Sequence, residues 1–157
     1  MEMGKQAIFP GSFDPFTRGH EAVVHGALKL FDKVVIGIGI NSGKKYLFSI
    51  EQRIEFIKQV FKNHTQNVEV VSYEGLTVDY CKGNQIDFIV RGIRSSRDFQ
   101  FEFEIANMNR GLNDKIQTVF LASAPEHSAI NSTVVREIHR NGGDVSQFLP
   151  EGSQLPT

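Results

Sequence analysis

Short apolar runs rich in β-branched residues alternate along this chain with longer segments whose apolar residues recur every three or four positions. The short runs are Gln6 to Phe9, Lys33 to Ile40, Val68 to Ser72, Asp87 to Val90 and Gln117 to Ala122, and they read as five strands. Of the longer segments, Ser49 to Lys62 places Ile50, Ile54, Ile57 and Phe61 on one face. Ser49 and Gln52 supply a capping-box pattern at its start. Similar spacing predicts helices over His20 to Phe31 and Asp98 to Leu112. A further helix over Ser132 to Arg140 ends at Gly142-Gly143, where glycine can take the left-handed conformation that closes a helix. Strand and helix in alternation imply parallel βαβ units, with each helix covering the sheet. In such a sheet ligands sit beyond the carboxyl ends of the strands, near the point where strand order reverses.

Composition narrows the class without changing that picture. A length of 157 residues, 40% of them hydrophobic and 22% charged, suits one domain over residues 1–157, with no repeat, low-complexity tract or linker. A formal charge of −1 argues against a general nucleic-acid binder, so an anionic ligand must be met by local cations. Cys81 is the single cysteine, which excludes an internal disulfide and fits a reducing compartment. No signal-peptide pattern or membrane-spanning run is present, so the expectation is a cytoplasmic protein with no membrane partner.

Candidate chemistry gathers in four stretches. The first, Phe9-Pro10-Gly11-Ser12-Phe13-Asp14-Pro15-Phe16-Thr17-Arg18-Gly19-His20, runs from a strand end through a loop into a helix start. Gly11 permits close backbone approach and Ser12 offers a hydroxyl. His20 lies where a helix presents unpaired N–H groups, so the stretch has the elements of a phosphate site. The second, Arg91-Gly92-Ile93-Arg94, sets two guanidinium forks around a glycine at a strand end. The third is the loop Asn41-Ser42-Gly43-Lys44-Lys45, from which either lysine could reach the same region. The fourth, His127 to Glu137, is a polar loop feeding a helix N-terminus. Taken singly, each also reads blandly, as turn punctuation, surface charge or a solvated loop.

Their combination resembles the nucleotidyltransferase superfamily. Its signature is a Gly-x-Phe-Asp loop followed by a helix opening with x-x-Gly-His, here Thr17-Arg18-Gly19-His20. A threonine at the first of those positions is similar to the phosphopantetheine adenylyltransferases, whereas superfamily members acting on nicotinate nucleotides or in cytidylyl transfer carry histidine there. The Arg91-Gly92-Ile93-Arg94 run and the 127–137 segment resemble the same family. Two departures stand out: Asn131 replaces a usual serine, and His127 an aromatic that is often tryptophan.

The resemblance implies a Rossmann-like α/β fold, a five-stranded parallel sheet with helices on both faces. It implies transfer of AMP from ATP to 4′-phosphopantetheine by direct in-line attack, with Mg²⁺ carried by the ATP phosphates and no metal held by the protein. By resemblance His20 stabilises the transition state. ATP is expected at Ser12, Phe13, His20, Gly92, Ile93, Arg94, Glu102, His127, Ser128, Ala129, Ile130, Asn131, Ser132 and Thr133. The acceptor is expected at Ser12, Lys44, Thr77 and Arg91. A homo-oligomer, a hexamer by resemblance, is also implied, and Phe99, Phe101 and Phe103 on one helix suit such an interface. The competing readings are a relative with a different acceptor and a nucleotide-binding module without turnover.

Overall fold

A computed structural model describes residues 4–157. Five parallel strands form one sheet in the order β3-β2-β1-β4-β5: β1 (Gln6–Gly11), β2 (Lys33–Ile40), β3 (Val68–Glu74), β4 (Phe88–Ile93) and β5 (Gln117–Ala122). Between and after them lie α1 (Arg18–Leu28), α2 (Ile50–Val60), α3 (Thr77–Gly83), α4 (Ser96–Leu112) and α5 (Ser132–Arg140). The expected Rossmann-like sheet is present, and β1 sits at its centre.

Strand alternation divides the core in two. Ala7 and Phe9 of β1, Val34, Ile36 and Ile38 of β2, and Val90 of β4 join a cluster with Val23, Val24 and Ala27 of α1, Ile57 of α2 and Val135 of α5. The intervening Ile8, Val35 and Ile89 turn to the other face, where they meet Val78 and Cys81 of α3. Both faces are thus covered, which is why these strands read as continuous apolar runs.

Local signals account for most boundaries. Ser49 caps α2 and accepts from the Gln52 N–H, while the Gln52 side chain reaches back to the Ser49 N–H, as the capping-box pattern predicts. At the far end of α5, Gly142 has φ +77° and its N–H bonds to the His139 carbonyl. One element lies outside the sequence expectations and one boundary is corrected. Helix α3 carried no sequence signal: it has seven residues, begins Thr77-Val78, and its N-cap Leu76 makes no side-chain cap. Strand β4 runs three residues beyond Val90, so Arg91, Gly92 and Ile93 belong to the strand rather than to a loop after it. Pairing with β5 continues as far as Ile93 against Ala122 and holds them extended.

That extension opens the crevice. Strands β1 and β4 pair only at Ala7 with Phe88 and Ile8 with Ile89, whereas β1 stays paired with β2 to Gly11 and β4 with β5 to Ile93. The two central strands therefore separate at their carboxyl ends, at the point where chain order reverses. Among the described residues, no helix is long and apolar enough to cross a membrane.

Gly37 tests the packing of the sheet. A methyl group there would lie 2.8 Å from the Ile8 Cδ1 and 2.9 Å from the Tyr73 ring, whereas one at Gly39 would meet nothing closer than 3.8 Å. Gly37→Ala is expected to lower stability by about 1–3 kcal/mol in urea unfolding. Gly39→Ala should stay within about 1 kcal/mol of the parent.

Candidate active site

Two adjoining pockets occupy the crevice and share Pro10, Gly11, Ser12, Arg91 and Glu102 as their common wall. One, of about 280 Å³, lies over the N-termini of α1 and α5 and takes in His20, Arg94, His127 and Arg136. The other, of about 630 Å³, opens toward the β2 and β3 ends and takes in Lys44, Tyr46, Tyr73, Thr77 and Asn109. We call them the helix-end pocket and the outer pocket.

The orientation of His20 is built from local sequence. Thr17 caps α1, its hydroxyl accepting from the His20 N–H at 3.3 Å, and the Thr17 N–H donates to His20 Nδ1 at 2.9 Å. The arrangement is a capping box in which histidine takes the place of the usual Glu or Gln. Because Nδ1 accepts from a backbone amide, the neutral ring carries its proton on Nε2. Phe9, Phe13 and Phe16 pack around the imidazole at centroid distances of 6.1, 5.0 and 5.4 Å. Burial in this aromatic nest, and then the nearby charges of Arg91 and Arg94, push the His20 pKa down from 6.5 to about 3. His20 is thus a neutral hydrogen-bond donor at physiological pH, neither a cation nor a general base. Sequence reading took Thr17 as a family marker; its physical task is to fix this tautomer.

Arg91 spans the gap between the separated strands. Its Nε and Nη2 grip Glu102 at 2.9 and 2.7 Å, and its Nη1 donates to the Pro10 carbonyl of β1. Glu102 is the buried residue of α4, so the guanidinium ties together β1, β4 and α4. Arg94 donates to Asp98 at 3.0 Å and to the Ile130 carbonyl at 2.9 Å, which fastens the end of β4 to the loop before α5. Ser132 donates to the Pro15 carbonyl and Arg136 to the Asp14 carbonyl, each at 2.8 Å. These bonds seat the N-terminus of α5 beside that of α1, so two positive helix ends face one pocket. The Asn131 side chain accepts from the Val134 N–H at 2.9 Å as the N-cap of α5. Asparagine and serine are equivalent in that task, which explains the first departure from the family pattern. His127 lines the helix-end pocket, and its buried Nδ1 has no hydrogen-bond partner among the described residues.

Most residues singled out from sequence line one pocket or both. Ser12, Phe13, His20, Gly92, Arg94, Glu102, His127, Ile130, Asn131 and Ser132 border the helix-end pocket. Ser12, Lys44, Thr77 and Arg91 border the outer one. Ile93, Ser128, Ala129 and Thr133 line neither; the Ser128 hydroxyl donates to the Pro125 carbonyl, and that of Thr133 accepts from Arg136. The glycines serve packing. A methyl group at Gly11 would strike the Phe13 ring at 2.8 Å, and one at Gly92 would strike Val23 of α1 at 2.7 Å. Sequence reading passed over Arg136 and Asp98, although both stand inside stretches it quoted. It also passed over Tyr46 and Tyr73, whose aromatic character carried no signal. The Tyr73 hydroxyl lies 2.7 Å from the Thr77 hydroxyl and fixes that side chain at the start of α3.

The histidine geometry has a spectroscopic consequence. In a side-chain ¹⁵N spectrum, His20 is expected to show an unprotonated Nδ1 and a protonated Nε2, without titrating between about pH 5 and pH 8. Its effect on stability has a definite sign, because the unfolded chain binds a proton near pH 6.5 that the native ring refuses until about 3. The contribution of neutral His20 is therefore complete above about pH 6.5 and declines as pH falls toward about 3. An imidazole of His20 titrating near 6.5 in the folded protein would refute this reading.

Comparison with known proteins agrees with the site. The profile of the "Cytidylyltransferase-like" family matches residues 8–138. A phosphopantetheine adenylyltransferase of Flavobacterium psychrophilum is 52% identical over 96% of this chain and 99% of its own length. One of Flavobacterium johnsoniae is 48% identical over 96% and 98%. Among solved structures, a bifunctional NMN adenylyltransferase/ADP ribose pyrophosphatase from Francisella tularensis superposes with a TM-score of 0.74 at 20% identity. That match covers 96% of this chain and 46% of the other. A "Putative Nicotinate-nucleotide Adenylyltransferase" from Vibrio parahaemolyticus superposes at 0.67 with 22% identity and 94% coverage of both chains; these two likenesses bear on the fold. From the profile match and from relatives similar over nearly its whole length, the chain belongs to the cytidylyltransferase-like nucleotidyltransferases, within the phosphopantetheine adenylyltransferase family.

Proposed function

We propose that this chain is an enzyme that transfers the AMP group of ATP to 4′-phosphopantetheine, giving dephospho-coenzyme A and pyrophosphate. The observation that carries the reading is a pair of pockets meeting at Ser12 and Arg91, where two bound anions would be held against each other. On this reading ATP takes the helix-end pocket, its phosphates over the N–H groups of α1 and α5. The acceptor takes the outer pocket, its phosphate toward Lys44 and its arm along Thr77, Leu76 and Ala106.

An oxygen of the acceptor phosphate forms a bond to the α-phosphorus of ATP as the bond to the bridging oxygen breaks, and pyrophosphate leaves with that electron pair. The acceptor is already an anion at neutral pH, so the protein has no proton to remove, and positioning with charge stabilisation is its contribution. His20 suits this role: its Nε2–H donates to a phosphoryl oxygen and strengthens as charge accumulates there. Magnesium enters with ATP as part of the substrate and neutralises phosphate charge. The carboxylates of the helix-end pocket are already engaged, Asp14 by the Leu47 and Phe48 amides, Asp98 by Arg94 and Glu102 by Arg91. We place the reaction in the cytoplasm, in keeping with Cys81 being reduced and buried.

Helix α4 supports self-association, since Phe99, Phe101, Phe103, Met108 and Leu112 are all exposed on it. A hexamer is the expected mass in sedimentation equilibrium, and a monomer at micromolar concentration would overturn that expectation. For activity, pyrophosphate release with ATP, Mg²⁺ and 4′-phosphopantetheine is expected, with dephospho-coenzyme A seen by mass and no turnover on nicotinate mononucleotide. The reverse acceptor preference would refute the specificity. His20→Ala should lower kcat by about 10²-fold or more with ATP affinity nearly intact.

A further inference from the structure

Arg53 of α2 lines neither pocket, yet it is 4% exposed and reaches across 41 residues of sequence to the first loop. Its Nη1 donates to the Ser12 carbonyl at 2.8 Å, and its Nε is shared between the carbonyls of Phe48 and Ser49 at 3.1 and 3.3 Å. The guanidinium also lies 4.1 Å from the centre of the Tyr46 ring, which borders the outer pocket. Burial lowers its pKa below the ordinary guanidinium value, an effect that the carboxylate of Asp14 opposes. Asp14, 2% exposed, completes the connection by accepting from the Leu47 and Phe48 amides at 2.8 and 3.0 Å.

Peptide geometry gives this contact a consequence. The Ser12 carbonyl and the Phe13 N–H belong to one planar trans peptide unit and point in opposite directions. With the carbonyl held on Arg53, the Phe13 N–H is directed away from α2. It donates to no acceptor among the described residues, and Ser12 and Phe13 both border the helix-end pocket. Phe13 has φ +50°, a conformation uncommon for a residue with a side chain and therefore one that needs support from its surroundings.

We propose that Arg53 is a positioning residue: by gripping the Ser12 carbonyl it aims the Phe13 N–H at a phosphate oxygen of the bound nucleotide, and by stacking on Tyr46 it holds the wall of the outer pocket in register with that donor. The inference rests on the functional reading above. A carbonyl turned into the pocket would repel the phosphate, whereas the fixed amide attracts it without reorganisation.

The test uses the full-length protein and an α,β-methylene analogue of ATP, which binds without reacting. In the wild type, the Phe13 amide resonance is expected to shift on titration with the analogue. In R53M, where the fork is removed, that response should be lost while the response of His20 persists, and kcat should fall about 10²-fold with both KM values within about threefold. R53K keeps the charge but cannot serve three carbonyls and the Tyr46 ring together, and it should recover part of kcat. A merely structural arginine would lower the melting temperature, leaving the Phe13 response and the kcat of the folded fraction unchanged. That outcome overturns the proposal.

If R53M does not fold, R53K decides: a kcat at least about tenfold below wild type, with a weakened Phe13 response, is expected, and wild-type values for both overturn the proposal. A wild type that binds the analogue with no shift at Phe13 refutes the positioning role alone. A wild type that neither binds the analogue nor turns over the acceptor refutes the functional reading and this inference with it.

Discussion

The separation of β1 from β4, and the single guanidinium that bridges it, is the constraint on which the site depends. Two parallel strands that stop pairing leave backbone groups facing each other across a gap. Arg91 fills that position from β4 and donates to the Pro10 carbonyl, while Glu102 holds the other edge of its fork. A partly buried charge pair of this kind is a weak source of net stability, because desolvation of the buried Glu102 offsets much of the attraction. Its value lies in geometry. The pair keeps the crevice open at one width and gives the two pockets a common wall, which a reaction between two anionic ligands requires.

The rest of the site consists of segments distant in sequence fastened to one another through backbone carbonyls. Arg94 holds the carbonyl of Ile130, Arg136 that of Asp14, Ser132 that of Pro15 and Arg53 that of Ser12. Each of these bonds fixes a loop rather than a side chain, and loops are where chain entropy would otherwise spread the donors over many orientations. The neutral, single-tautomer state of His20 follows from the same logic, because the Thr17 amide and three phenylalanine rings determine both its proton and its direction.

How far this was legible in the sequence follows from the range of each interaction. Helix α2 was readable because its signals are local, an apolar face and a cap three residues apart. The central strands β1, β2 and β4 were readable because both of their faces are buried and their runs are largely apolar, and the edge strands β3 and β5 because of their β-branched residues. Helix α3 was not, since seven residues span too few turns to show a period and its cap uses no side chain. The membership of Arg91 to Ile93 in β4 was hidden because a neighbouring strand imposes it. The residues of the helix-end pocket were found largely through resemblance, but their partners were not. That Glu102 faces Arg91, or that Gly92 makes room for Val23, depends on contacts that no spacing along the chain encodes.

Charge counting alone would also misjudge how such a site attracts a polyanion. The helix-end pocket is bordered by Arg91, Arg94 and Arg136 and equally by Asp14, Asp98 and Glu102, so its formal charges cancel, in a chain whose total is −1. What remains is directional. Arg136 bonds to neutral oxygens, two helix N-termini converge, and the Nε2–H of a neutral His20 completes the set. Oriented dipoles of this sort act at short range and do not reorganise during the reaction, unlike a diffuse positive surface, which salt would screen. Pairing the arginines with carboxylates removes excess charge that would favour any anion, and leaves selection to a ligand whose oxygens match the fixed positions of the donors.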